Sequence, residues 1–271
     1  MLCSICREEE GEFVEIGCPS KHSFHGTCIG VWLMNDSTCP YCRQRVKRTF
    51  ANVNEFLSLL KPNVAGVEHY INDFPLDWKI ECIEKIPYLL KFVIDKTPEL
   101  CRLAVENDGY ALTYVPDRLI TPELCRLAVA HSGYAINYVP DHLITPELYR
   151  LAVISDSYSL NYILESEITS ELCRLAVEKE GISLKYVPDQ LKTPELCLIA
   201  VEQNGFAIHY VPRNLLTQEL CHLAVGSSRY AFEFIPDAFK TIELCRLAVA
   251  KYPSAITHVP IFLRITEFFE T

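Results

Sequence analysis

Eight residues near the start of the chain form one ordered series of metal-ligating side chains: Cys3-x2-Cys6-x11-Cys18-x3-His22-x2-His25-x2-Cys28-x10-Cys39-x2-Cys42. Two ligands with two residues between them reach one tetrahedral ion from a single tight turn, which is the spacing that a structural zinc site uses. The short-range pairs suffice for two closed sites, so two Zn2+ ions are expected. Four protein ligands per ion leave no position for a water molecule, and hydrolytic chemistry is therefore not expected. All six cysteines of the segment are used as ligands, which leaves no thiol in it to carry an acyl group as a thioester. The segment is too short to bury a stable apolar core. A structural zinc can supply roughly 10–16 kcal/mol of apparent binding energy that becomes folding energy.

The order and gaps of these ligands resemble the RING-H2 finger of RING-type E3 ubiquitin ligases over residues 3–43. A PHD finger would place Cys at the fourth ligand position and His only at the fifth, whereas His22 and His25 fill both. The ligands alone do not fix their pairing. The resemblance implies interleaved sites, one held by Cys3, Cys6, His25 and Cys28 and the other by Cys18, His22, Cys39 and Cys42. It also implies that the finger binds a ubiquitin-charged conjugating enzyme and orders the thioester for attack by a substrate lysine. The gain then comes from orientation and preorganisation rather than from a new nucleophile. Ile5, Trp32 and Pro40 match the family's apolar platform for the conjugating enzyme. Arg43, after the last ligand, matches its linchpin and is the candidate catalytic residue. A planar, five-donor guanidinium suits a bridge between conjugating enzyme and ubiquitin better than lysine does.

Most of the rest of the chain is a repeat of period 24, starting at Thr97 with the phrase Thr-Pro-Glu-Leu-Cys-Arg-Leu-Ala-Val. Cys101, Cys125, Tyr149, Cys173, Cys197, Cys221 and Cys245 mark seven equally spaced copies. A fixed period of this length predicts a solenoid. Each copy opens with Thr as N-cap, in most cases a first-turn Pro, and Glu at the positive end of a helix. Leu100, Leu103 and Ala104 then have helical spacing, and after a Gly or Ser comes a second apolar set, Ala111, Leu112 and Val115, closed by Pro116 and Asp117. One copy therefore reads as helix, tight turn and short second helix. A leucine-rich-repeat reading fails because the cap directly precedes the first Leu and a strand would have to bury Ala and Cys. The repeat does resemble an uncharacterised tandem repeat of amoeba-infecting giant viruses and some intracellular bacteria, over Thr97 to Arg264. It is more weakly similar to the helical 24-residue leucine-rich variant.

The expected fold is thus a small cross-braced zinc RING domain plus an all-α solenoid of short helix-turn-helix repeats. The domains are residues 1–49, the finger; 50–96, a helical linker and degenerate capping repeat; 97–264, the seven repeats; and 265–271, a C-terminal cap. Phe50 to Leu60 reads as a helix, Pro62 and Asn63 as a loop.

Several repeat columns could imitate a site. One thiol per copy cannot bring four ligands to one metal, so the cysteine column reads as core. The tyrosines at 114, 138, 162, 186 and 210 read as packing between copies with their hydroxyls at the surface. Glu99 and Arg102, three apart, read as an exposed pair of small effect. The columns containing Glu106 and Thr113 vary from copy to copy, as an extended protein-binding surface would.

Residues 1–49 hold six basic and six acidic side chains, so the formal charge of −10 belongs to the rest of the chain. An acidic array disfavours nucleic acid and anionic membrane. No apolar run reaches transmembrane length, no signal peptide precedes Cys3, and thirteen cysteines fit a reducing compartment. An intracellular protein, in the cytoplasm of a host if viral, is expected. The function that follows is a RING-type E3 ubiquitin ligase whose partners are a conjugating enzyme, ubiquitin and a protein substrate or adaptor recruited by the repeats. The alternative is a non-catalytic zinc-stabilised scaffold or decoy of host ubiquitin machinery. The resemblance also admits a RING dimer, although no flanking coiled coil predicts one.

Overall fold

A computed structural model of the protein describes residues 5, 13–15, 22–25, 28–29, 32, 38–43, 53–59, 70–261 and 263–264. Cys3, Cys6, Cys18, the expected loop at Pro62 and Asn63, and the expected cap at 265–271 lie outside the described residues. The chain divides into two units, Met1–Ile120 and Thr121–Thr271, at the boundary between the first and second repeat copies.

In the first unit, strand β1 (Phe13–Glu15) pairs antiparallel with β2 (Ser23–His25), in the register Phe13 with His25 and Glu15 with Ser23. Phe24 is fully buried and Ile29 nearly so, giving the finger a small apolar centre. The helix expected after the finger spans Val53–Leu59. Its buried Phe56 meets Phe74 edge to face at 4.9 Å, and Phe74 in turn meets Trp78 at 5.3 Å. Next come a helix at Leu76–Lys85 and a 3₁₀ segment at Pro87–Phe92. They have the lengths of the corresponding pieces of a full copy, but Pro75 offers no capping side chain.

The threonine that heads each copy caps a ten-residue helix. Thr97 accepts from the Leu100 N–H at 3.3 Å, and Thr121, Thr145, Thr169, Thr193, Thr217 and Thr241 do the same three residues on, at 3.2–3.3 Å. These bonds satisfy one of the orphan donors of each first turn. The long helices are Pro98–Asn107 in the first unit and Pro122–His131, Pro146–Ser155, Ser170–Lys179, Pro194–Gln203, Gln218–Ser227 and Ile242–Lys251 in the second. Each buries the Leu, Cys or Tyr, and Ala of its repeat phrase on one face. Within the second unit, successive long helices pack on one another and on the segments that follow them.

The second element of a copy is not an α-helix. It is a six-residue 3₁₀ segment, as at Gly109–Tyr114 and Gly181–Tyr186, followed by a separate 3₁₀ turn at Asp117–Leu119 and its equivalents. The reason lies in the spacing of its buried residues. Gly109, Leu112 and Val115 are three apart, and a 3₁₀ helix, with three residues per turn, stacks i and i+3 on one face. Asp108, Asp156 and Asn204 open such segments by accepting from the N–H two residues on, at 2.9–3.0 Å. In the sixth copy the place is taken by a single α-turn, Ala231–Phe234.

Glycine opens the segment where the next copy comes closest. A Cβ on Gly181 would lie 2.2 Å from the Ala200 carbonyl oxygen, and one on Gly205 would lie 2.5 Å from that of Ala224. The spacing between copies is thus set by backbone against backbone.

Candidate functional site

Cys39 and Cys42 stand at the two ends of the tight turn that their spacing requires. The Arg43 N–H bonds the Cys39 carbonyl at 2.8 Å, and Arg43 itself takes the left-handed conformation with φ 59°. His22 enters from the residue just before β2, and its Nδ1 lies 3.5 Å from the Cys39 Sγ. The ligand atoms of His22, Cys39 and Cys42 all lie within 4.8 Å of one another. Zinc bonds of about 2.3 Å to sulfur and about 2.0 Å to nitrogen place the ligand atoms of a tetrahedron roughly 3.5–3.8 Å apart. The His22–Cys39 distance falls in that range, and two thiols and an imidazole within 4.8 Å of one another fit zinc in donor type.

These three residues were expected to share one ion with Cys18, which lies outside the described residues. Of the other expected set, His25 is 6 % exposed at the end of β2 and Cys28 is half-buried in a helical turn, while Cys3 and Cys6 lie outside the described residues.

Beside the metal ligands, the structure brings together two of the four expected docking residues. The Trp32 indole N–H donates to the Thr38 carbonyl at 2.9 Å, which ties the ring to the strand-like residue just before Cys39. The Arg43 guanidinium lies over that ring, 5.2 Å from its centroid. A stack of this kind holds a long, flexible side chain at one place for about 0.5–1 kcal/mol at an exposed site. Ile5 and Pro40 are half-buried and Arg43 is exposed. Sequence reasoning passed over Tyr41. It is 70 % exposed and meets the His22 ring at 4.6 Å, and its position between Pro40 and Cys42 was the available signal.

The repeat thiols can be set aside as chemistry. Cys101, Cys125, Cys173, Cys197 and Cys221 are buried, and burial pushes each thiol up to about 11. Cys82 is pushed to about 12 by burial, with Glu81 adding to the effect. They stay protonated at neutral pH, and a thiol is neither a nucleophile nor a metal ligand until it ionises. The tyrosine column meets aromatic neighbours edge to face, Tyr134 with Tyr162 at 5.0 Å and Tyr158 with Tyr186 at 5.8 Å. The expected pairing of Glu99 with Arg102 gives way to another. Arg102 bonds Glu106 at 2.8 Å and Arg174 bonds Glu178 at 2.7 Å, one full helical turn on. The Glu99 carboxyl is instead lowered by its backbone N–H and the Thr97 hydroxyl, as befits a first-turn acid.

Comparison with known proteins accords with this division. Residues 1–43 match the Ring finger domain family, and residues 97–144 and 169–216 each match a domain of unknown function, DUF4116. Each 48-residue DUF4116 stretch takes in two of the 24-residue copies. The N-terminal segment is 46% identical over 43 residues to RING-H2 finger protein ATL34 of Arabidopsis thaliana, covering 15% of this chain and 13% of that protein. It is 45% identical over 47 residues to the E3 ubiquitin-protein ligase RNF181 homolog of Drosophila melanogaster, covering 17% and 31%. With the E3 ubiquitin-protein ligase ZNRF3 of Xenopus tropicalis it shares 39% over 46 residues, covering 16% and 5%. The chain thus spans less than a third of the length of each of these relatives. No solved structure matches it. The N-terminal segment is a RING finger, a zinc-binding fold, and it is followed by tandem DUF4116 repeats.

Proposed function

We propose that this chain, a RING finger followed by tandem DUF4116 repeats, is a RING-type E3 ubiquitin-protein ligase whose repeats recruit a protein substrate or adaptor. The observation that carries the reading is the convergence of His22, Cys39 and Cys42 next to the Trp32–Arg43 stack. Two relatives named as E3 ubiquitin-protein ligases, similar over this same segment, support it.

In this reading Cys3, Cys6, His25 and Cys28 hold one Zn2+, and Cys18, His22, Cys39 and Cys42 hold the other. Zinc supplies folding energy and no open coordination position. The finger occupies residues 1–49, a linker and shortened repeat 50–96, the seven copies 97–264, and a cap the last residues. Ile5, Trp32 and Pro40 form the apolar contact for the conjugating enzyme. Arg43, held over Trp32, reaches from that contact to ubiquitin and restrains the thioester in the geometry that an attacking amine needs. The substrate lysine amine adds to the thioester carbonyl, an isopeptide bond forms, and the conjugating enzyme's thiol leaves. No cysteine of this chain enters the reaction. No helix among the described residues is long and apolar enough to cross a membrane, and we place the activity in the cytoplasm.

The test is single-turnover discharge of ubiquitin onto free lysine from a panel of charged conjugating enzymes, with zinc per chain measured on the same sample. Two zinc ions and a clear stimulation with at least one conjugating enzyme are expected. Two zinc ions without stimulation across the panel would sink the ligase reading and leave a non-catalytic scaffold or decoy.

A further inference from the structure

The third copy departs from the repeat phrase twice, and both departures fall at one place. Tyr149 stands in the column that is Cys in the other six copies, and Glu167 stands where Leu119, Leu143, Leu191 and Leu215 stand in theirs. In the fold both line a cavity of about 280 Å³ in the second unit, shared with Glu147, Arg150 and Glu171. That volume lies at the lower edge of the roughly 300–1,000 Å³ range of small-molecule pockets, room for one side chain rather than a cofactor.

The chemistry of the lining is one-sided. Tyr149 is 6 % exposed and lines the cavity, and among the described residues its hydroxyl makes no hydrogen bond. Burial and the nearby Glu167 and Asp141 carboxylates push the hydroxyl's pKa up, so it stays a neutral O–H. At the cavity's mouth stand three exposed carboxylates and one exposed guanidinium. Arg150 bonds Glu171 through Nε at 3.3 Å, and among the described residues Glu147 and Glu167 form no ion pair. The cavity therefore offers two unmatched carboxylates and an oxygen acceptor at its wall.

We propose that this cavity binds a basic side chain, lysine or arginine, presented by an extended segment of a partner protein. Ammonium and guanidinium groups carry donors only, and carboxylates are acceptors only, so either group complements the two carboxylates that lack an ion pair. A divalent cation fits less well, because the Arg150 guanidinium is itself part of the lining. The site stands apart from the finger's chemistry. Only its role as a substrate-recruiting site rests on the ligase reading, and binding can be measured without ubiquitin.

The experiment uses the full chain and short fluorescein-labelled Gly-Ser peptides with a single central lysine, arginine, acetyl-lysine or glutamate, titrated by anisotropy at low salt. Tyr149→Cys and Glu167→Leu restore residues that the other copies carry, so the repeat still folds, which circular dichroism checks. Glu195→Gln, at an exposed carboxylate of a later copy, is the control. Saturable binding of the lysine or arginine peptide is expected, weakened at least about tenfold, or about 1.4 kcal/mol, by either restoring variant and by acetylation, and unchanged in the control. Equal binding to all variants would overturn the proposal, as would no binding of either basic peptide. Displacement of bound peptide by calcium in the wild type but not in Glu167→Leu would instead make this a cation site and overturn it too.

Discussion

Arg43 pays for its position: a non-glycine residue at φ 59° sits in a region that costs roughly 1 kcal/mol. The turn that ends at Cys42 would close more easily with glycine there, so what retains arginine is its side chain, stacked on Trp32. Arg43→Gly is accordingly expected to leave zinc retention intact or improve it by up to about 1 kcal/mol, read as resistance to a competing chelator, while removing the guanidinium stacked on Trp32. Faster zinc loss in the variant would show that the side chain holds the turn rather than a partner. The convergence of His22, Cys39 and Cys42 was legible in the sequence because ligand spacing is dictated by turn geometry. The Trp32–Arg43 stack was not, since it depends on a turn that reverses the chain after Cys39. Nor was the cavity at Tyr149, which arises from two substitutions eighteen positions apart in sequence.

At the level of elements, the helices were readable from Thr, Pro and Glu at fixed places, because a cap is a local interaction between residues three apart. The second apolar set, Ala111, Leu112 and Val115, reads as a short helix, and the structure makes it a 3₁₀ one, because six residues between an extended cap and Val-Pro favour a period of three. The close approach at Gly181 predicts a large effect of one methyl group. With the added Cβ 2.2 Å from a backbone carbonyl, Gly181→Ala should cost about 1–3 kcal/mol, measured by urea unfolding, and a change under 0.5 kcal/mol would mean that the copies slide apart freely. Charge acts on the same joints. Lys192 fills a column that is Ile in the first three copies, and its Nζ reaches Asp189 at 2.8 Å. That hydrogen bond holds the Asp189 carboxyl below the usual carboxylate range. A depressed folded-state pKa contributes stability above the unfolded value, near 3.9, and loses it as pH falls through the depressed one. Asp189 is exposed, so the effect is small. Lys192→Ile should flatten part of the fall in the urea midpoint below about pH 4, and an unchanged pH profile would show the pair to be without effect.

For the whole molecule, the two kinds of folding energy predict two kinds of failure. The finger depends on metal, whereas the copies depend on buried Leu, Ala and Val and on seven threonine caps. Chelation should therefore open the finger's cysteines to alkylation while the far-ultraviolet helical signal and the buried repeat thiols, Cys101 to Cys245, stay as they are. Loss of the helical signal on chelation would mean that the repeats cannot stand without the finger. The measurement that reaches the central claim most directly is the rate of ubiquitin discharge from a charged conjugating enzyme onto lysine, with zinc-loaded wild type, Trp32→Ala and Arg43→Gly side by side. The account predicts stimulation by the wild type and a fall of at least about tenfold, or about 1.4 kcal/mol of barrier, in each variant. Variants that stimulate as well as the wild type, or a wild type that does not stimulate at all, would contradict it.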